Sequence, residues 1–72
     1  MQYVIKTEGL HCGHCDASVE SALLAVAGVT DADSDHETQT VQVTCADGVE
    51  PAALAAAVEQ AGNFKALSVE RA

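Results

Sequence analysis

Residues 9–15 read Gly9-Leu10-His11-Cys12-Gly13-His14-Cys15, and residues 16–29 continue as DASVESALLAVAGV. Two thiols three residues apart stand between an extended apolar run and a helix. Val19, Ala22, Leu23 and Val26 recur at helical spacing, with Asp16, Ser18, Glu20 and Ser21 off that stripe. The pattern predicts a helix over about 15–27, stopped by Gly28. A thiol pair at a loop-to-helix junction is the layout of a metal clip or of a redox couple.

Upstream, Gln2 to Glu8 alternates, so Tyr3, Ile5 and Thr7 are expected on one strand face. Downstream, Val29 to His36 carries Asp31, Asp33 and Asp35 at period 2, which makes one face of that strand acidic and wet, with small Ala32 and Ser34 between. Glu37-Thr38-Gln39 reads as a hairpin turn, and Thr40 to Ala46 points Val41, Val43 and Cys45 inward. Pro51 suits the first position of a second helix over about 51–61, striped by Leu54, Ala57, Val58 and Ala61. After Gly62-Asn63, Phe64 to Glu70 is a last strand with Leu67 and Val69 expected on one face. The order βαββαβ is that of an α+β, ferredoxin-like fold: a four-stranded antiparallel sheet with both helices on one face, as one domain over 1–72.

With the Gly9-Leu10 lead-in, Cys12-x2-Cys15 and the apolar pattern up to Val29, nearly the whole chain resembles the heavy-metal-associated domain. That domain forms small copper chaperones and the cytosolic segments of metal-pumping ATPases. The resemblance implies that Cys12 and Cys15 bind the ion and pass it to a partner's cysteine pair through three-thiolate intermediates. Soft, closed-shell Cu(I) prefers thiolate and is content with two ligands. Cys15 is expected at the helix N-terminus, where unpaired amides favour a negative sulfur.

Leu10 stands where the family usually has Met, a nearly volume-conserving swap under the loop. His11 replaces a small hydroxyl residue. His11 and His14 are close enough to tune the thiolates, and both are weighed as neighbours of the ion rather than ligands. Asn63, Phe64 and Lys65 occupy the loop from which the family brings a Tyr or Lys toward the metal. Asp16 is expected to serve the helix N-terminus, and a carboxylate beside the thiols leaves Zn(II) and Cd(II), with Ag(I) and Hg(II), as alternatives to Cu(I). Cys45 reads as a buried hydrophobe and His36 as solvated. Neither a second CxxC nor a spaced His pair is present to close a four-ligand zinc site.

The partner implied is a copper-transporting P-type ATPase or a copper-sensing regulator, met by a chain that is monomeric without metal and is open to a metal-bridged dimer. A regulatory segment of such an ATPase is the alternative reading. A thiol oxidoreductase is the third, and it lacks a nameable base, oxyanion donor or pocket.

A chain of 72 residues buries only about 60% of its unfolded surface, which leaves room for an ion but not for a deep cleft. No apolar run approaches the roughly 20 residues of a membrane span, and Met1 leads into the first strand without a signal-like segment. Three cysteines, an odd number, suit a reducing compartment, and the chain is expected to be cytoplasmic. Eleven acidic against three basic side chains give a formal charge of −8, which repels nucleic acid and anionic membranes. Scarce Lys with abundant Asp and Glu favours adaptation to high salt over docking on a basic partner.

Asp31, Asp33 and Asp35 repel one another within a Debye length of about 10 Å at 0.1 M salt. The melting temperature is therefore expected to rise with added monovalent salt. A flat profile from low to molar salt refutes salt adaptation and leaves the basic partner as the reason for the charge.

Overall fold

Alternation builds the sheet. In β1 (Gln2–Glu8), Tyr3, Ile5 and Thr7 are buried while their neighbours face outward, and β3 (Thr40–Cys45) does the same with Val41, Val43 and Cys45. The computed structural model describes residues 1–11 and 13–72. The remaining elements are α1 (Gly13–Leu24), β2 (Val29–Asp35), α2 (Pro51–Gln60) and β4 (Lys65–Arg71). The strands lie in the order β2-β3-β1-β4, every neighbouring pair antiparallel. One apolar cluster joins the inner face of β1 and β3 to Val19 and Leu23 of α1 and to Leu54, Ala57 and Val58 of α2. Both helices therefore cover the same face, in the expected ferredoxin-like arrangement. No helix among the described residues is long and apolar enough to cross a membrane.

Three expectations need correction. The first helix starts at Gly13 and ends at Leu24, not at about 15 and 27. The chain tightens after Leu24, where the Val26 N–H reaches the Leu23 carbonyl at 3.0 Å and the Val29 N–H the Val26 carbonyl at 3.1 Å. This turn sets Gly28 at φ +93°, where its carbonyl accepts from Ala46, and a Cβ there would come within 2.6 Å of Val49. Val26 still packs on the core.

In β4, Leu67 and Val69 do not share a face. The register steps from Lys6↔Ser68 to Thr7↔Ala66, leaving Leu67 unpaired at a bulge. The extra residue reverses the alternation, so Ala66 and Val69 face the core and Leu67 is 61% exposed.

The third correction concerns His36, which is held rather than solvated. Ser34 and His36 lie on the inward parity of β2 and its turn, under Asp16 and Glu20, which are one helical turn apart on α1. Asp16 Oδ2 meets His36 Nδ1 at 2.7 Å, and Ser34 Oγ donates to Asp16 Oδ1 at 3.0 Å. The Ser34 N–H donates to Glu20 Oε2 at 2.9 Å. Helix α1 is thereby tied to the thinly packed strand by polar contacts. The outward Asp31, Asp33 and Asp35 are exposed as expected. Desolvation pushes the Asp16 carboxyl upward, but hydrogen bonds from His36 and Ser34 outweigh it and hold the group below its ordinary value. The hydrogen bond to Asp16 raises the His36 imidazole.

Cys45 is 3% exposed, and its main chain exchanges hydrogen bonds with Met1 at 2.8 and 2.9 Å. Cys45→Ala keeps those bonds and loses one buried sulfur, so unfolding free energy is expected to fall by about 1 kcal/mol, measured by denaturant titration. For the ion pair, the raised His36 contributes fully below its unfolded value of 6.5, and this is lost as pH rises through the folded one. The lowered Asp16 contributes above its unfolded value of 3.8, and this is lost as pH falls through the folded one. The gap in melting temperature between the native chain and His36→Gln should therefore be widest at about pH 4 to 6.5 and close on either side. A gap independent of pH would show that the charge on His36 adds nothing.

Candidate metal centre

The loop that carries the thiol pair is fastened where it leaves β1. Glu8 is paired with Lys65 at the end of the ladder. Gly9 then turns at φ +102°, so close to the neighbouring loop that a Cβ would stand 2.9 Å from the Asn63 carbonyl oxygen and 3.5 Å from Phe64 Cα. Any other residue there meets both a left-handed backbone and a collision with main chain. Next, the Leu10 side chain enters the core at 3% exposure. Burying a leucine contributes about 1.5–3 kcal/mol, enough to hold the chain at that point.

Beyond Leu10 the chain turns outward. His11 is exposed. Cys12, the first of the two candidate ligands, lies outside the described residues. Gly13 opens α1, and a Cβ on it would meet no described atom within 4 Å. His14 is exposed, and its carbonyl accepts from Ser18 Oγ at 3.2 Å. Cys15 is half-buried as the third residue of α1 and packs against the core. It lies in the first turn of the helix. One candidate ligand thus sits on a rigid element, with exposed residues before it.

The residues weighed as neighbours of the site separate into two groups. Asn63 and Phe64 lie directly against Gly9, and Phe64 packs on the core with its ring under Gly62, where a Cβ would meet it at 2.8 Å. Lys65 is exposed on the ladder beside Glu8. Among the described residues, no group of three or more His, Cys, Asp and Glu side chains gathers into a metal cage. Asp16 turns toward β2 and is engaged by Ser34 and His36.

Sequence reasoning missed Gln39. It sits at the end of the β2–β3 turn with φ +55°, and its carboxamide brackets the main chain of Leu10. A non-glycine residue at positive φ leaves no mark in hydropathy. The Asp16–His36 tie had a readable signal, because Asp16 and Glu20 share a helix face and Ser34 and His36 share the inward parity of the strand.

The model of the heavy-metal-associated domain matches residues 4–64. The copper chaperone CopZ of Staphylococcus aureus (strain JH9) is 48% identical over 42 residues, which are 58% of this chain and 62% of that protein. The aligned stretch therefore spans less than two thirds of that relative. Among solved structures, a CopZ metallochaperone superposes with a TM-score of 0.88 at 37% identity, over 93% of this chain and 100% of that one. A copper-binding domain from HMA7, a P-type ATPase, superposes with a TM-score of 0.83 at 27% identity, over 99% of this chain and 100% of that one. With a family model covering most of its length and the same βαββαβ sheet order beneath it, the chain belongs to the heavy-metal-associated domain family.

Proposed function

We propose that the chain, folding as one domain over 1–72, is a cytoplasmic carrier of Cu(I) that holds the ion between Cys12 and Cys15. It surrenders the ion by ligand exchange to the cysteine pair of a copper-transporting P-type ATPase or a copper-responsive regulator. What supports the reading is a Cys-x2-Cys sequence that follows the buried Leu10 and ends at Cys15, which packs on the core in the first turn of α1, in a chain of the heavy-metal-associated family. Its similarity to proteins named as copper chaperones supports copper as the cargo.

The chemistry is dictated by the ligands. Each thiol releases its proton as sulfur binds the ion, giving a linear two-thiolate complex that keeps the coordination sphere open. An incoming thiolate adds to give a three-coordinate intermediate, after which one of the original sulfurs leaves and is reprotonated; a second incoming thiolate then displaces the other original sulfur in the same way. No electron moves, and the only bonds made or broken are S–H and sulfur–metal. The work is transfer and not catalysis. Exposed His11, before the pair, and His14, inside it, affect proton movement during exchange more than capacity. Ag(I) and Hg(II) share the soft, two-thiolate chemistry and are expected to compete, while Zn(II) and Cd(II), which favour four ligands, are less suited to a two-ligand site. The superposition on a P-type ATPase domain supports a second reading, in which the same site serves as a regulatory metal-binding segment of a pump.

Anaerobic titration under reducing conditions, in competition with a Cu(I) chelator, should show one Cu(I) per chain. Cys12→Ser or Cys15→Ser should weaken binding by orders of magnitude, and His14→Ala should leave the capacity intact. Full Cu(I) uptake by the Cys12→Ser, Cys15→Ser double variant would overturn the assignment. Catalytic disulfide reduction without chelator competition would move the chain to the redox reading.

A further inference from the structure

From the clamp on Leu10 we infer that Gln39 is a positioning residue for the metal loop, setting the strength and speed of Cu(I) binding from the tip of a hairpin. This rests on the proposed role of the Cys12–Cys15 pair and adds to it a residue distant in sequence.

After β1 ends at Glu8, Leu10 has no strand partner for its main chain. Gln39 supplies one from a side chain. Its Oε1 accepts from the Leu10 N–H at 3.1 Å, and its Nε2 donates to the Leu10 carbonyl at 2.6 Å and to the His36 carbonyl at 2.6 Å. The orientation of the carboxamide is fixed by chemistry, because reversing it would set an oxygen against two carbonyls and two donors against each other. The Gln39 carbonyl in turn accepts from both the Thr7 N–H at 2.8 Å and Thr7 Oγ1 at 2.9 Å. One residue therefore grips the chain on both sides of Gly9.

Gln39 alone among the described non-glycine residues has a positive φ, +55°. A glutamine gains nothing from that backbone conformation, which favours Gly or Asn. Its side-chain bonds offset the cost, and two of the three converge on Leu10, two places before Cys12. The clamp has a structural consequence for the ligands. Leu10 is fixed by its buried side chain and by both of its main-chain polar groups, so the arc from Leu10 to α1 has two fixed ends. A shorter free arc has fewer conformations to lose when the two sulfurs close on one ion.

Gln39→Gly removes the clamp while relieving the backbone, and Gln39→Asn tolerates the same backbone but is one methylene too short to reach Leu10. In each, Cu(I) affinity in chelator competition should fall about tenfold, the low end of what partners of metal ligands cost. Release to the chelator should quicken by a similar factor. Deuterium exchange at the Leu10 amide, protected in the native chain, should accelerate in both variants without metal. Cys45→Ala serves as the stability control: it should lower the melting temperature while leaving affinity and release as in the native chain.

Native affinity and release rates in both Gln39 variants would overturn the inference. So would an unprotected Leu10 amide in the native chain, or an equal loss of affinity in Cys45→Ala, which would tie the effect to stability alone. A native chain that takes up no Cu(I) would instead sink the carrier reading, while the Leu10 amide still reports on the clamp.

Discussion

A single apolar layer, closed by the inner faces of β1 and β3 on one side and one stripe of each helix on the other, sustains every other feature of this molecule. It has few large members: Ile5, Leu23, Leu54 and four valines are its largest fully buried side chains. In so small a chain the margin between burial and conformational entropy is narrow, so each segment that is to be rigid needs its own connection to that layer. The metal loop has two, Leu10 before it and Cys15 after it. Cys15, one of the two candidate ligands, is thus held by the packing of the core.

Where the layer thins, polar contacts take over. Strand β2 offers the core only Val29, Ala32 and Ser34 on its inward side, and its outward side is three aspartates. Without more, α1 would lie over an edge strand with little to grip. Asp16 and Glu20 fill that role by reaching Ser34 and His36. These contacts also remove Asp16 from the neighbourhood of the thiols in chemical terms, because both of its oxygens are occupied. That weakens the case for Asp16 as a ligand to an ion.

Much of this was legible in the residues. Period 2 in Tyr3, Ile5 and Thr7 and in Val41, Val43 and Cys45, and helical period in Val19 and Leu23 and in Leu54 and Val58, marked the layer correctly. Periodicity records burial averaged over an element. It failed at Leu67, because a bulge inserts one residue and reverses the parity of the rest of the strand. It failed again at residues 25–27, where Val26 still packs on the core although the helix has given way to a turn. Gln39 was beyond its reach altogether. What makes that residue matter is a backbone angle and three hydrogen bonds to main-chain groups, none of which depends on the hydropathy of its neighbours. The CxxC pair was legible as chemistry from its spacing, and Cys12 lies outside the described residues.

On the proposed carrier reading, the useful property of the site is the contrast between the buried Leu10 and core-packed Cys15 and the exposed His11 and His14. Rigidity lowers the conformational entropy lost when two thiolates close on an ion, and so strengthens binding without adding a ligand. Openness governs the exchange rate, because a third sulfur must enter before one of the first two leaves. Adding ligands would gain affinity only by blocking that entry. On the proposed carrier reading, the fastening of the chain at Leu10, at the turn of Gly9 against Asn63 and Phe64, and by the grip of Gln39 gains affinity without adding a ligand. The exposed His11 and His14 are compatible with approach, since neither side chain closes over the loop in a buried position. On the proposed carrier reading, affinity is therefore governed by the buried side of the chain and exchange speed by its exposed side.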